Sequence, residues 1–195
     1  MQKNLLWTGR EYYSLENCLV DINGDGVDIN SVIVGFYHNI IYRVEYKIKA
    51  TQLWETIFVE IFGQYKNQQH RFMFEGDGTG NWIVNGKVDK NFEGCIDIDI
   101  PLTPFTNTLP INRLKISPNR EQQIKVIYCD LLQGKFTAVN QKYIRRSDSI
   151  YHYQNVPNDF EADIEVDAQG FVVDYPQLFV RTAAMETNYP EGREQ

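Results

Sequence analysis

The sequence predicts an all-β protein, a large antiparallel meander curled into a partial or open barrel with few short helices. Apolar and polar residues alternate with the two-residue period of strands, and no segment keeps a 3.6-residue period over three turns. Tight-turn residues separate the alternating segments. The 12 Tyr and 11 Phe among 195 residues also favour strands. Roughly ten strands joined in this way indicate a curled sheet or a barrel.

The first half of the chain carries the clearest strand patterns. Residues 5–22 are strand-like, and residues 36–48 alternate so that His38, Tyr46 and Ile48 share one face. Residues 54–62 are partly apolar on both faces, which indicates a strand that is covered on both sides or that borders a cavity. The glycines of 76–81 and the pair Asn85-Gly86 predict hairpin turns.

One segment resembles half of a calcium-binding loop. Asp21, Asn23, Asp25 and Gly26 have the spacing of its first positions, but its twelfth position is Val32, which cannot supply the required carboxylate. A turn between two strands explains these residues better, so no metal site is expected there.

The stretch 94–116 is the one around which the chain is organised. Its first residues alternate, placing Asp97 and Asp99 on one face of a strand and Ile98 on the other. The Pro- and Thr-rich residues 101–110 predict a structured loop, either lining a site or forming a rigid corner of the sheet. A second strand carrying Arg113 is expected to follow. We expect Asp97 and Asp99 to anchor the loop by accepting hydrogen bonds from its backbone or from Arg113.

The second half of the chain continues the strand pattern. Strands are expected at 123–132 and 135–145, joined at Gln133-Gly134, and residues 159–167 are two-faced with Phe160 and Ile164 inward. We predict one domain over residues 1–181, followed by a polar tail over 182–195.

Composition excludes several classes of function. A net charge of −7 argues against a nucleic-acid partner. The three cysteines, Cys18, Cys95 and Cys129, are widely spaced, which favours buried free thiols over a zinc site or disulfides. No apolar stretch has the length of a signal peptide or membrane span, so we expect a cytoplasmic protein. No metal or cofactor motif is present, so we expect neither a metal nor a cofactor.

The best enzymatic candidate is the pair Asp97 and Asp99. Carboxyl groups two residues apart on one strand face are compatible with glycoside hydrolysis. The same alternation of acids occurs at Asp163 and Glu165 with no chemistry attached, so a solvated strand face is the simpler interpretation.

Four motifs resemble the bacterial glycolipid-binding family: GCIDIDIPLTPFTNTLPINRL from position 94, QKYIRR from 141, DFEADIEVDAQGFVVDYP from 159 and LFVR from 178. The resemblance implies a large antiparallel sheet curled into an incomplete barrel around an apolar interior, similar to periplasmic lipoprotein carriers. It implies a lipid or glycolipid ligand and carries over no established binding residue.

Two functions are therefore compatible with the sequence: non-catalytic binding of a lipid or glycolipid in an apolar cavity, and hydrolysis of a sugar or lipid head group through Asp97 and Asp99. We expect the cavity and its rim to be formed by Trp54, Phe58, Phe72, Trp82, Asp97, Ile98, Asp99, Thr106, Asn107, Arg113, Tyr143 and Arg145.

Overall fold

A computed structural model describes residues 1–187 and contains a single fifteen-stranded sheet, which confirms the predicted fold class. The order across the sheet is β8-β7-β6-β5-β4-β3-β2-β1-β15-β14-β13-β12-β11-β10-β9. The strands are β1 (Gln2–Gly9), β2 (Ser14–Asn23), β3 (Gly26–Tyr37), β4 (Ile40–Ala50), β5 (Thr56–Tyr65), β6 (Gln68–Gly76), β7 (Trp82–Val84), β8 (Lys87–Val88), β9 (Asp97–Asp99), β10 (Glu121–Asp130), β11 (Lys135–Arg145), β12 (Ile150–Val156), β13 (Glu161–Val166), β14 (Val172–Tyr175) and β15 (Phe179–Thr187).

The sheet is an antiparallel meander apart from one parallel pair, β9 with β10. The end strands β8 and β9 each pair with one neighbour, so the sheet is not closed. It curls nonetheless, because side chains of strands far apart in the order meet inside. Phe72 and Phe74 on β6 lie 4.7 and 5.3 Å, between ring centroids, from Phe136 on β11.

The interior of the curl is filled by the stretch that follows the 3-10 turn Lys90–Phe92. It consists of β9, a bend at Pro101 and the helix α1 (Phe105–Leu114). Every residue from Leu102 to Ile111 is buried. Phe105 and Leu109 pack with inward residues of β1 to β6, whereas Ile111 belongs to a second cluster built mainly on β10 to β15. The stretch 94–116 is therefore an internal partition between the two halves of the sheet.

The helix corrects the prediction for this stretch, because a loop over 101–110 and a strand carrying Arg113 are both wrong. Pro104 precedes the first turn, where a missing N–H is not needed. The backbone N–H of Phe105 donates to Thr103 Oγ1 at 3.0 Å. Burial of the apolar side chains stabilises the helix despite Pro110 and the low propensity of threonine.

Three predicted strand boundaries are also wrong. The pattern over 5–22 is two strands, β1 and β2, and the strand expected over 36–48 breaks into β3 and β4. His38 and Asn39 form the intervening turn with φ of 47° and 62°, a conformation in which His and Asn are enriched. Trp54, expected to begin a strand, lies in the turn before β5 with φ of 65°.

The predicted turns agree with the structure. The segment from Asp21 to Gly26 contains the tight β2–β3 turn at Gly24 and Asp25, where Asn23 Oδ1 accepts from the backbone N–H of Asp25 at 2.8 Å. Asn85-Gly86 and Gln133-Gly134 also join paired strands. Near the C-terminus β15 continues to Thr187, past the tail boundary expected at Thr182, and the rest of that tail lies outside the described residues.

Candidate ligand-binding site

Two adjoining cavities lie at one end of the sheet. Six turns meet at this end because the strands run antiparallel: residues 10–13, 38–39, 66–67, 131–134, 157–160 and 176–178. β9 runs parallel to β10, so the bend at Pro101 lies at the same end. We call this end the mouth.

The first cavity, the tyrosine cavity, has a volume of about 260 Å³. Its lining combines aromatic rings with carboxyl, amide and hydroxyl groups: Glu11, Tyr12, Asp99, Pro101, Thr103, Asn107, Tyr128, Tyr153, Asn155, Phe160, Tyr175, Leu178 and Phe179. The second, the leucine cavity, has a volume of about 490 Å³ and is lined by Tyr12, Tyr37, His38, Ile40, Lys66, Pro101, Leu102, Tyr128, Asp130, Leu131, Leu132 and Gln133. Both are lined by Tyr12, Pro101 and Tyr128, which therefore form a common wall.

Aromatic rings form a continuous surface in the tyrosine cavity. Tyr153 of β12 lies 6.2 Å from Tyr175 of β14, and Tyr175 lies 6.4 Å from Phe179 of β15, between ring centroids. Phe179 in turn stacks on Tyr12 of the β1–β2 turn at 5.5 Å. The strand alternation points the side chains of Tyr153, Tyr175 and Phe179 inward. In the sheet β1, β15 and β14 are successive neighbours, and β12 follows β14 on the far side of β13.

Asp99 supplies a carboxylate to this aromatic surface. Its Oδ2 accepts from Gln141 Nε2 at 2.6 Å and its Oδ1 accepts from Thr106 Oγ1 at 3.2 Å. Burial raises the pKa of Asp99, and these two hydrogen bonds oppose the rise. Neither partner is charged, so the Asp99 carboxylate keeps its full negative charge towards the cavity when it is ionised.

The phenols around Asp99 are held in their neutral form. Burial raises the pKa of Tyr128, Tyr153 and Tyr175, and the neighbouring Asp99 carboxylate raises each further. Burial likewise raises the pKa of Tyr12, with Glu11 adding to the effect. Each of these hydroxyl groups can therefore donate and accept hydrogen bonds over a wide pH range.

A second layer holds α1 and β9 in place behind the cavity. Arg113 donates to both carboxylate oxygens of Asp97, from Nε at 3.2 Å and from Nη2 at 2.5 Å. The Tyr143 hydroxyl donates to Asn107 Oδ1 at 2.8 Å, which fixes the amide that lines the cavity. Burial raises the pKa of Asp97, against the effect of Arg113.

A buried carboxyl group also lies next to the bend that leads into α1. Glu16 Oε1 accepts from Tyr46 at 2.6 Å and from Ser31 at 2.7 Å, and the Tyr46 hydroxyl lies 3.3 Å from that of Thr103. Within residues 1–187 no hydrogen-bond donor reaches Glu16 Oε2. Burial raises the pKa of Glu16 to about 7, although these hydroxyl groups oppose the rise.

Six of the residues expected at the site lie at the tyrosine cavity or directly behind it. Asp99 and Asn107 line it, and Asp97, Thr106, Arg113 and Tyr143 hold these two residues or their elements.

The other six expected residues line neither cavity: Trp54, Phe58, Phe72, Trp82, Ile98 and Arg145. Ile98 is 1% exposed within the core. Trp54 packs against Phe171, and Phe72 packs against Phe136. The Trp82 indole donates to the carbonyl of Cys95 at 2.7 Å, and Arg145 Nη1 donates to the carbonyl of Ile116 at 3.1 Å.

Sequence reasoning missed the aromatic lining: Tyr12, Tyr128, Tyr153, Phe160, Tyr175 and Phe179. These residues are scattered over the chain, and only the sheet order brings them together. The signal that was present is the excess of tyrosine, a residue that is buried efficiently only when its hydroxyl finds a polar partner.

Comparison with known proteins decides the family. The family model described as "Putative glycolipid-binding" matches residues 4–181. The chain belongs to this family. The match confirms the resemblance inferred from the four sequence motifs. Among curated proteins no match was found.

Two solved structures are similar to this member of the glycolipid-binding family. A DUF1089 family protein from Pseudomonas aeruginosa is 28% identical, with a TM-score of 0.76 over 85% of this chain and 91% of that chain. A beta-barrel-like protein of the domain of unknown function DUF1849 from Brucella abortus is 8% identical, with a TM-score of 0.48 over 94% of this chain and 96% of that one. The first likeness supports the fold, and the second is too weak to carry an argument.

Three further observations concern the cysteines, metal binding and membrane-spanning helices. Cys18, Cys95 and Cys129 are buried free thiols. Within the described residues no cluster of three or more side chains could ligate a metal ion. No helix in the same part of the chain has the length and apolar character that crossing a bilayer would require.

Proposed function

We propose that this protein binds a lipid or glycolipid at the mouth without catalysing a reaction on it. The observation that carries the proposal is the common wall of Tyr12, Pro101 and Tyr128 between a polar cavity and a more apolar one. An amphiphile has the same division, with a polar head joined to an apolar chain. The family description points to the same class of ligand.

The two cavities suit the two parts of such a ligand. The tyrosine cavity offers hydroxyl, amide and carboxyl groups beside aromatic faces, which suits a compact polar head group. The leucine cavity adds Ile40, Leu102, Leu131 and Leu132, whose side chains favour an apolar chain. The leucine cavity, where we place the apolar chain of the ligand, differs from the expected cavity around Phe58 and Ile98. The side chains of these two residues line neither cavity.

The alternative, hydrolysis through Asp97 and Asp99, finds less support in the geometry. A carboxylate pair of this kind needs both groups beside the ligand. Asp99 lines the cavity, but the Asp97 side chain is 1% exposed and is held at both oxygens by Arg113. We therefore propose that Asp97 is structural.

Binding of the ligand's apolar chain in the leucine cavity can be tested directly. We predict that an environment-sensitive apolar dye binds the native protein and is displaced by decyl glucoside below its micelle concentration. Ile40→Asp should raise the glucoside concentration that displaces half of the dye by about tenfold or more. The reason is that the substitution places a carboxylate against the apolar chain of the glucoside. Dye fluorescence titrations measure both steps.

Ile41 provides a matched control. It is the next residue on β4, points to the opposite face and is 79% exposed. Ile41→Asp should bind dye and glucoside as the wild type does. Equal effects of both variants, or no displaceable binding by the wild type at micromolar concentrations, would contradict the proposal.

A further inference from the structure

The charges around the tyrosine cavity carry information about the head group. Within residues 1–187, the only ionisable groups that line it besides the phenols are the carboxyl groups of Glu11 and Asp99, and no lysine, arginine or histidine of this range lines it. The nearby guanidinium of Arg113 is engaged with Asp97. The field in this cavity is therefore negative when these carboxyl groups are ionised.

The aromatic rings of the cavity also favour a positively charged ligand. Six rings line the cavity: Tyr12, Tyr128, Tyr153, Phe160, Tyr175 and Phe179. The face of an aromatic ring attracts a cation, and the attraction increases when the cation is removed from water. A cavity that joins several rings to a carboxylate has the chemistry used to recognise ammonium groups.

The same features disfavour a negatively charged head group. An anionic head group such as a phosphate or sulfate would have to lose its hydration beside Asp99 with no cationic side chain to replace it. A neutral sugar could donate hydrogen bonds to the phenols, the amides and the Asp99 carboxylate, but it would gain less from the charge of Asp99 than a cation would.

We infer that the head group bound in the tyrosine cavity carries a positively charged ammonium or amine, with Asp99 as the counter-ion and the aromatic rings as its cage. This inference rests on the proposed binding function and names the class of its ligand. Tyr128 has a special place, because it borders both cavities and would contact the head group where it joins the chain.

The test uses three amphiphiles with the same decyl chain and different heads: decyltrimethylammonium, decyl glucoside and decyl sulfate, each below its micelle concentration. We expect isothermal titration calorimetry to show that the cationic amphiphile binds about tenfold tighter than the glucoside. Decyl sulfate should bind more weakly than both. If none of the three binds, the proposed function fails; if the glucoside or sulfate binds as tightly as the cation, the inference alone fails.

Asp99→Asn separates the local carboxylate from the overall negative charge of the protein. Asparagine retains an acceptor for Thr106, and Gln141 can turn its amide to match, so the variant keeps its hydrogen-bonding groups. It should lower the affinity for decyltrimethylammonium about tenfold and that for the glucoside by a clearly smaller factor, so that the preference for the cation is lost. Asp25→Asn, an exposed acid in the β2–β3 turn at the opposite end, removes the same charge and should change neither affinity.

Two substitutions at Tyr128 test the aromatic cage independently. Tyr128→Phe keeps the ring face and should lose less of the affinity for decyltrimethylammonium than the leucine variant does. Tyr128→Leu keeps an apolar side chain without a ring and should weaken that affinity by about threefold or more. Equal affinities of the Phe and Leu variants, or an Asp99→Asn variant that still prefers the cation, would overturn the inference.

Discussion

Substitution of Arg113 by methionine is expected to destabilise the protein by about 3–5 kcal/mol, because it leaves the buried Asp97 carboxylate without its partner. Arg113 on α1 is the residue that fastens the internal helix to β9 through two hydrogen bonds to one carboxylate. For a chain of this size the loss corresponds to a fall in Tm of roughly 6–20 °C. Urea unfolding at neutral pH measures it.

A surface arginine that also donates two hydrogen bonds to a carboxyl group gives the control, with both of its bonds ending on one oxygen of Glu60. Arg71 donates to Glu60 at 2.9 and 2.6 Å, but its side chain is 68% exposed. Arg71→Met should cost at most about 1 kcal/mol. The double variant Asp97→Leu/Arg113→Met should recover much of the lost stability, because it removes the buried charge together with its partner. A similar cost for Arg71→Met and Arg113→Met would contradict this account of α1.

Glu16 is expected to make the protein less stable as the pH rises from about 5 to 8. Its pKa is about 7 in the folded protein, above the ordinary value of 4.5, so the folded state binds more protons in this interval. The stability that the protonated Glu16 carboxyl group contributes is complete below its ordinary pKa of 4.5, and it is lost as the pH rises through 7. The shift corresponds to a loss of about 3 kcal/mol, because ionisation leaves a negative charge at a buried carboxylate that has one unbonded oxygen.

The measurement compares wild type with Glu16→Gln in urea unfolding at several pH values. Glutamine cannot ionise and still accepts from Tyr46 and Ser31, so its stability relative to wild type should increase by about 3 kcal/mol between pH 5 and 8. Glu75→Gln on the exposed face of β6 serves as control and should follow the wild-type curve. Parallel curves for wild type and Glu16→Gln would show that the buried carboxyl group does not titrate in this range.

Much of the fold could be predicted because most strands carry a two-residue period and most turns carry glycine or asparagine. The helix α1 could not be, because Thr106, Thr108 and Pro110 have low helix propensity and only burial between two layers of sheet favours the helical form. Asp97 and Asp99 likewise looked like a solvated strand face, because alternation cannot show that α1 covers that face.

The binding site was predictable only in part. Asp99 and Asn107 lie in the distinctive stretch 94–116, so the motif drew attention to them. The aromatic rings of the tyrosine cavity lie on strands far apart in the chain, and no local pattern distinguishes Tyr153 or Tyr175 from a core tyrosine. Their convergence is a property of the sheet order, in particular of the pairing of β1 with β15.

Photo-cross-linking tests most directly whether an amphiphile binds across the two cavities. A decyltrimethylammonium analogue with a diazirine on its chain is bound to the wild-type protein, irradiated and mapped by peptide mass spectrometry. We expect saturable labelling at the leucine cavity, around Ile40 and Leu131-Leu132, which is lost in Ile40→Asp and retained in Ile41→Asp. Labelling confined to exposed apolar residues on the outer face, such as Val34 and Phe36, or labelling that does not saturate, would contradict it.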